Sequence, residues 1–499
     1  VTSAIRRTAA AVAGAVLAVG LAACASPAPE ATVTTLKTTG YPMVEWNPSK
    51  LFVHFLPYQA VYETLIYLDP ATFEWQPLLA EEFEISDDQR TMRIKIREDV
   101  DFTDGTHLDA EGTKTALDYA LTGEFHQLLL VTQYGPEVEV TGEYEIEITT
   151  TRPISPDFLF WFGLTAIGSP TAIEEDPEGL SASPVGSGPY LIKDVEPDVS
   201  ITFERNPSYR DPETFPFDEL EFSVMGDSIA IGNALKSGQL NLGMVDSAHA
   251  ADLEREGFAL HSASAGQWHL LWQDPTGRSA PEVADPKVRQ AIAHAFDREA
   301  IVENLEFGYG TVTSQMFGKG SPYYVEGADD TYPYDPEKAR QLLAEAGYPD
   351  GFDLVIPTYP DTAKYEPIVQ QSLADIGITV TYEPFPDVVK WAEAANSGDY
   401  GLTLRGTSDL LFNTVLRIDI ADGGFPELNE QYAIMDTGSK EESSAAEQRV
   451  GQIILDEAIG IALSRPSAIW ASIPEITIAD GIIDPPASQP PLRSIQLAG

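Results

Sequence analysis

A chain of 499 residues exceeds what one hydrophobic core organises, and this length predicts about three domains. Apolar content of 43% and charged content of 22% are those of an ordinary globular protein. Against 30 Lys and Arg stand 78 Asp and Glu, a formal net charge of −48, which argues against any nucleic-acid partner because such a surface repels phosphate.

The acid is spread along the chain and reads first as a solvated surface. Cys24 is the only cysteine, so no intrachain disulfide is possible. Arg6 and Arg7 precede a small, apolar run from Thr8 to Val19, too short for a comfortable membrane span and flanked like a signal peptide. Leu21-Ala22-Ala23-Cys24 follows and resembles a bacterial lipobox. That resemblance implies cleavage before Cys24 and lipid attachment to its thiol. Residues 1–23 are then expected to be a lipoprotein signal peptide. Residues 24–40, rich in Pro, Ala and Thr, are expected to be a flexible tether.

Further along, Met92-Arg-Ile-Lys-Ile-Arg97 alternates as a half-buried strand. Asp101 to Thr106 reads as a turn. Asp109 caps a helix with a stripe of Ala116, Leu117, Ala120 and Leu121, stopped at Gly123. Glu137 to Thr150 predicts a hairpin turning at Gly142. Two glycines and a proline in Gly186-Ser-Gly-Pro189 mark a shaped backbone crossing before a strand at Ile201 to Arg205. Another strand is expected at Leu220 to Val224, and a glycine stop at Gly238. Asp285-Pro286, Asp297 and Asp335-Pro336 each open a helix, with Gly308 and Gly347 as stops for the second and third. Pro367 to Gly377 predicts a further helix, feeding a strand at Ile378 to Tyr382. This helix–strand alternation suggests layered α/β packing.

Several chemistries lack their residues. There is no phosphate-cradling loop with lysine, no third glycine for a dinucleotide loop at Gly186, and no nucleophile elbow. The seven histidines are scattered without zinc-ligand spacing, so no metal and no cofactor are expected. Asp436-Thr437-Gly438 has no second copy to share a proton, and reads as a surface turn. No catalytic residues are therefore assigned.

Five stretches in order resemble the extracytoplasmic solute-binding proteins, family 5, of ABC transporters for oligopeptides, dipeptides and nickel. They are Phe102-Thr-Asp-Gly-Thr-His-Leu-Asp-Ala-Glu111, Gly186-Ser-Gly-Pro-Tyr190 with Glu204-Arg-Asn-Pro-Ser-Tyr209, and Val288-Arg-Gln-Ala-Ile-Ala-His-Ala-Phe-Asp-Arg-Glu299. Tyr334-Asp-Pro-Glu-Lys-Ala339 with Leu-Leu-Ala-Glu-Ala-Gly-Tyr348, and Gln370-Gln-Ser-Leu-Ala-Asp-Ile-Gly-Ile378, complete the set. The resemblance implies an α/β, two-lobed periplasmic-binding-protein-like fold of class II, cluster C, with an extra α+β domain inserted in the first lobe. Residues 41–68, 185–262 and 476–499 would make lobe one, 69–184 the inserted domain, and 263–475 lobe two.

The family's ligand residues carry over position by position. Trp391 stands where the family has a cleft tryptophan. Leu404-Arg405-Gly-Thr-Ser-Asp409 stands where it reads G-W-x-x-D-Y, and there the aspartate meets a peptide ammonium. Thr407 replaces the family's tryptophan and the segment is shorter, so Asp409 is either that ammonium partner or a loop or capping aspartate. Trp268 and Trp272, at the start of lobe two, either line the cleft or belong to hinge-side core. Ligand-binding candidates are thus Trp391, Arg405, Asp409, Trp268 and Trp272.

The implied function is that of a substrate-binding subunit of an ABC importer, capturing peptides or another small polar solute for a membrane permease. It would act as a monomer, lipid-anchored through Cys24 on the outer face of the cytoplasmic membrane, in the periplasmic space if the cell is Gram-negative. Alternatives are an oligosaccharide, opine or nickel-complex carrier on the same fold, a ligand sensor, or a secreted hydrolase.

Overall fold

The computed structural model describes residues 34–40, 45–50, 55–69, 72, 74–123, 134–264, 266–274, 277–408, 412–413, 416–417, 425–479 and 488–498. The predicted signal peptide, Cys24 and Asp409 lie outside the described residues.

Strand β1 (Thr35–Gly40) leads to a short helix, Leu56–Val61, and to the paired strands β2 (Ile66–Asp69) and β3 (Glu74–Pro77). Strands β4 (Ala80–Ile85), β5 (Thr91–Ile96), β6 (Glu137–Gly142) and β7 (Glu145–Thr149) form an antiparallel sheet of order β4-β5-β7-β6. The β6–β7 pair is the expected hairpin, and Met92, Ile94 and Ile96 of β5 are buried as the alternation requires. The helix Ala110–Leu121 covers the sheet. Asp109 caps it, accepting from the Gly112 amide at 2.8 Å. A side chain at Gly123 would collide with the Ser49 carbonyl at 1.7 Å, so the stop is steric. Strands β2 to β7 and this helix close around one core that runs from Leu65 to Leu180.

Strands β8 (Tyr190–Glu196), β9 (Ser200–Arg205) and β10 (Glu219–Val224) continue as an antiparallel meander, and β1 joins β10 in parallel. The Gly-Ser-Gly-Pro-Tyr crossing is explained here. A Cβ at Gly186 or Gly188 would lie 2.0 or 2.6 Å from carbonyl oxygens of Val61 and Ala60. The crossing brings Ser187 and, after β9, Tyr209 and Arg210 onto Glu63, which is 4% exposed. Ser187 Oγ and Tyr209 OH donate to Glu63 at 2.9 and 3.0 Å, and Arg210 grips it bidentately at 2.7 Å twice. Burial opposes the Arg210 charge, but hydrogen bonds and charge from Glu63 hold its pKa above the ordinary arginine value.

The remaining sheet is built on one long strand. After β11 (Leu242–Val245), β12 (Ala259–Ser264), β13 (Gln267–Trp272), β14 (Gly310–Thr311), the parallel pair β15 (Phe352–Thr358) and β16 (Ile378–Pro384), and β17 (Leu402–Thr407) comes β18 (Gly460–Ser472). The first half of β18 pairs with β13, and its last residues pair with β11 and β12. Helices Pro286–His294, Arg298–Asn304, Pro336–Glu345 and Glu366–Ala374 start near the predicted caps, with Asp285, Asp297 and Asp335 each accepting a backbone N–H. They enclose a second core from Leu270 to Leu463. Strands β19 (Ile476–Ile478) and β20 (Ile495–Leu497) pair near the C-terminal end.

Candidate functional site

Two backbone crossings join the second core to the rest. One is β18. The other is the β12–β13 link, where Gly266 takes φ +97° and a Cβ would sit 2.3 Å from the Thr407 carbonyl. Between the two cores lies a cavity of about 700 Å³, within the range of small-ligand sites. Its first wall is apolar and aromatic: Leu68, Trp75, Pro156 and Phe160. Its second wall is the β12–β13 link, the segment 311–313 and the loop 317–324, with Asp329 and Arg465. A smaller cavity of about 270 Å³ shares Leu68, Trp75 and Phe160 and reaches Glu63 and Arg493.

The second wall is held by hydrogen bonds. Asp329 accepts from Thr313 Oγ1 at 2.8 Å, Gln315 Nε2 at 3.1 Å and Tyr324 OH at 2.7 Å. Partial burial pushes the Asp329 carboxyl up, yet these donors outweigh it and hold it below the ordinary carboxylate value. In return the Asp329 bond pushes the Tyr324 hydroxyl up to about 12. Arg465 comes from mid-β18 and is 4% exposed. Its Nη2 donates to Gln267 Oε1 and to the Met316 carbonyl, both at 3.0 Å. This wall can therefore meet an anionic group with a guanidinium, and an apolar group with aromatic faces. Among the described residues no three His, Cys, Asp or Glu side chains converge as metal ligands.

Of the sequence candidates, Trp391 and Arg405 come together. The Trp391 ring is 3% exposed and donates from Nε1 to the Pro357 carbonyl at 3.1 Å. The Arg405 guanidinium carbon stands 5.2 Å from the Trp391 ring centre. Trp268 is half-buried and stacks on Tyr365 with centroids 4.7 Å apart. Tyr365 in turn donates to buried Glu306, which also receives Lys364 Nζ at 2.9 Å. Trp272 lies within the second core, 3% exposed, under Arg289 at 3.8 Å and against Phe425. It stands on the core side of the two sequence readings.

Sequence reasoning missed Trp75, Phe160, the loop 317–324, Asp329 and Arg465. The run Phe317-Gly-Lys-Gly-Ser-Pro-Tyr-Tyr324 was the available signal, since glycines beside aromatics mark loops that approach a ligand.

The crossings lead from the second core to a third, from Ile231 to Ala471, and the cavity opens between the second core and the first, an arrangement that suits a two-lobed binding protein. The sequence model for bacterial extracellular solute-binding proteins, family 5, middle region, matches residues 74–414, more than half of the chain, and the chain belongs to this family. A glutathione-binding protein, GsiB, of Shigella flexneri serotype 5b is 27% identical over 328 residues, 64% of this chain and 63% of the relative. The match thus spans less than two thirds of that relative's length. Among solved structures, NikA of Brucella suis in complex with Fe(III)-EDTA superposes with a TM-score of 0.80 at 20% identity, covering 93% of this chain and 100% of that one. DppA of Helicobacter pylori in complex with the peptide STSA gives 0.73 at 19% identity, covering 93% and 98%. These matches establish the two-lobed α/β fold.

Proposed function

We propose that this chain is the substrate-binding subunit of an ABC importer, capturing peptides between its lobes and delivering them to a membrane permease. The observation that carries the reading is the cavity of about 700 Å³ closed by Trp75 and Phe160 on one side and Arg465 on the other. A peptide offers both partners, apolar side chains for the rings and a carboxylate for the guanidinium. The peptide and glutathione ligands of the family relatives support the same reading.

In this reading residues 41–68, 185–262 and 476–499 form lobe one and 263–475 lobe two, with one correction: Thr35–Gly40, expected as part of the tether 24–40, is strand β1, and its pairing with β10 adds it to lobe one. Residues 69–184 form a domain inserted in lobe one, supported by a core that runs from Leu65 to Leu180. Arg405 and Trp268 do not line the cavity as it stands and reach the ligand, with Asp409, on closure of the lobes, while Trp391 and Trp272 act from behind as packing for the arginine and the sheet. Residues 1–23 are a signal peptide, Cys24 carries the lipid anchor, and the protein works as a monomer at the outer face of the membrane. No helix among the described residues is long and apolar enough to cross a membrane.

Mass spectrometry of small molecules released from the gently denatured protein tests the ligand class. Thermal unfolding with glutathione and with the dipeptide Met-Leu tests it directly. A ligand at about 100 times its Kd adds about 2.7 kcal/mol to the folded state. A bound sugar or metal chelate, with no response to either peptide, would replace the peptide reading.

A further inference from the structure

Arg493 stands on the short turn Leu492–Ser494, just before β20. Hydrogen bonds fix this turn: the Leu492 amide donates to Gln59 Oε1 at 2.7 Å, and Ser494 Oγ to the Pro491 carbonyl at 2.7 Å. From it the half-buried Arg493 reaches over the Tyr67 ring, its guanidinium carbon 4.2 Å from the ring centre. Burial first, then Glu63, push the Tyr209 hydroxyl up, and the charges of Arg210 and Arg493 oppose them. Tyr67, Tyr209 and Arg493 all line the smaller cavity, so the guanidinium faces it. Yet among the described residues this guanidinium makes no hydrogen bond and no ion pair.

Its freedom sets Arg493 apart. Arg205, Arg210, Arg289, Arg298 and Arg465 each hold carbonyl, carboxylate or amide oxygens. Acids outnumber Lys and Arg by 78 to 30, so a half-buried arginine left without one points to an oxygen that comes from outside the chain. The two acids of the same cavity have other partners: Arg210 neutralises Glu63, and Asp69 accepts the Thr72 amide at 3.3 Å. Their presence favours a singly charged carboxylate over a doubly charged phosphate, which they would repel more strongly.

We propose that the smaller cavity is a second ligand subsite, in which Arg493 receives the carboxylate of an acidic side chain of the ligand. The proposal rests on the peptide-cleft reading, because the two cavities share Leu68, Trp75 and Phe160, and a ligand in the larger one abuts the same rings. Trp75 fits at this shared wall because residue 163 is glycine: a Cβ there would lie 2.3 Å from the indole. A volume of about 270 Å³ suits one side chain rather than a whole second ligand. The aromatic lining takes the methylene groups of that side chain, and the guanidinium takes its charge. The ligand is thereby narrowed to a peptide with an acidic residue.

The test uses the full chain and two dipeptides, Met-Glu and Met-Gln, which match in size and differ by one side-chain charge. Calorimetry should give roughly 10-fold tighter binding of Met-Glu, the lower end of the span for hydrogen bonds to a charged group, because Arg493 is only half-buried. Arg493→Gln should bring the two affinities together, and Arg493→Lys should keep part of the preference. In parallel, wild type labelled with 15N at arginine is titrated with sodium acetate, and the Arg493 Nε signal, assigned through Arg493→Lys, should move. Equal affinities of wild type for the two dipeptides, or a preference that survives intact in Arg493→Gln, overturn the subsite and leave the peptide reading standing. If neither dipeptide binds, the peptide reading loses this support and acetate decides: a shifted Arg493 signal upholds the subsite, and an unmoved one overturns it. Should Arg493→Gln fail to fold, the wild-type preference and the acetate titration carry the test.

Discussion

Glu63 and Arg210 form an ion pair whose side chains are 4% and 11% exposed. The glutamate is nearly inaccessible, and four donor contacts from Ser187, Tyr209 and Arg210 converge on it. Glu63→Gln keeps the volume and removes the charge, leaving Arg210 buried beside a neutral amide. Breaking one side of a buried pair costs about 3–5 kcal/mol. Urea unfolding should show that loss, and a midpoint equal to wild type would refute the structural role given to the pair. A second residue-scale effect concerns pH. Burial lowers the pKa of His261, His269 and His294 in the folded state. The unfolded chain therefore takes up protons that the folded chain refuses. This contribution to stability is complete above the ordinary histidine value of 6.5 and is lost as pH falls below it toward the lowered folded values. Relaxation of repulsion among the 78 acids works in the opposite direction on acidification. The informative quantity is thus the difference between wild type and His269→Phe in the absence of ligand. The variant should lose less stability between neutral pH and about pH 5. Parallel curves would show that His269 does not titrate on unfolding.

At the scale of elements, the crossings matter more than the helices. Helix starts depend on a cap, a proline and a stripe within a few residues, and Asp109, Asp285, Asp297 and Asp335 make the bonds expected of them. Stops were less legible: the helix opened by Asp297 ends at Asn304, and Gly308 follows as a left-handed residue. Strand β18 was not anticipated, because Arg465 and Pro466 interrupt its pattern and a proline argues against a central strand. Its proline is tolerated where the pairing passes to the two-residue β14. At the other crossing, Gly266 combines a left-handed backbone with close approach to Thr407. Gly266→Ala should destabilise by more than about 1 kcal/mol, since a side chain there is both strained and crowded. Its effect on ligand affinity should exceed that of Gly257→Ala, another left-handed glycine whose Cβ would meet open space. Equal effects at both positions would deny the link any role in closure.

For the whole molecule, the family fold and the cavity between its cores imply a clamp. Small-angle scattering should show a smaller radius of gyration when a saturating ligand is present, and an unchanged value would argue against hinge closure. Membrane fractionation of Cys24→Ser should release the protein or leave it unprocessed. Retention of a cleaved variant would remove Cys24 as the anchor, since stable anchoring takes more than one acyl chain on that residue.

The chain alone determined the local grammar: its caps, its turns, the alternation of β5 and the β6–β7 hairpin, and the family stretches that led to the fold. Each of these depends on residues a few positions apart, so it survives without knowledge of packing. The glycines of the Gly186 crossing were legible as a turn, but their purpose was not, because Glu63 and the Val61 carbonyl arrive from far away in sequence. Of the site candidates, Arg405 and Trp391 came from the family pattern, and the structure sets them against each other without placing either in the lining of the cavity. Only tertiary structure decided that Trp272 and Trp391 are buried, and that Trp75, Asp329 and Arg465 share one cavity. A tryptophan carries no local mark of whether its ring faces core or cleft. A cavity between two cores is made by contacts that no window of sequence contains.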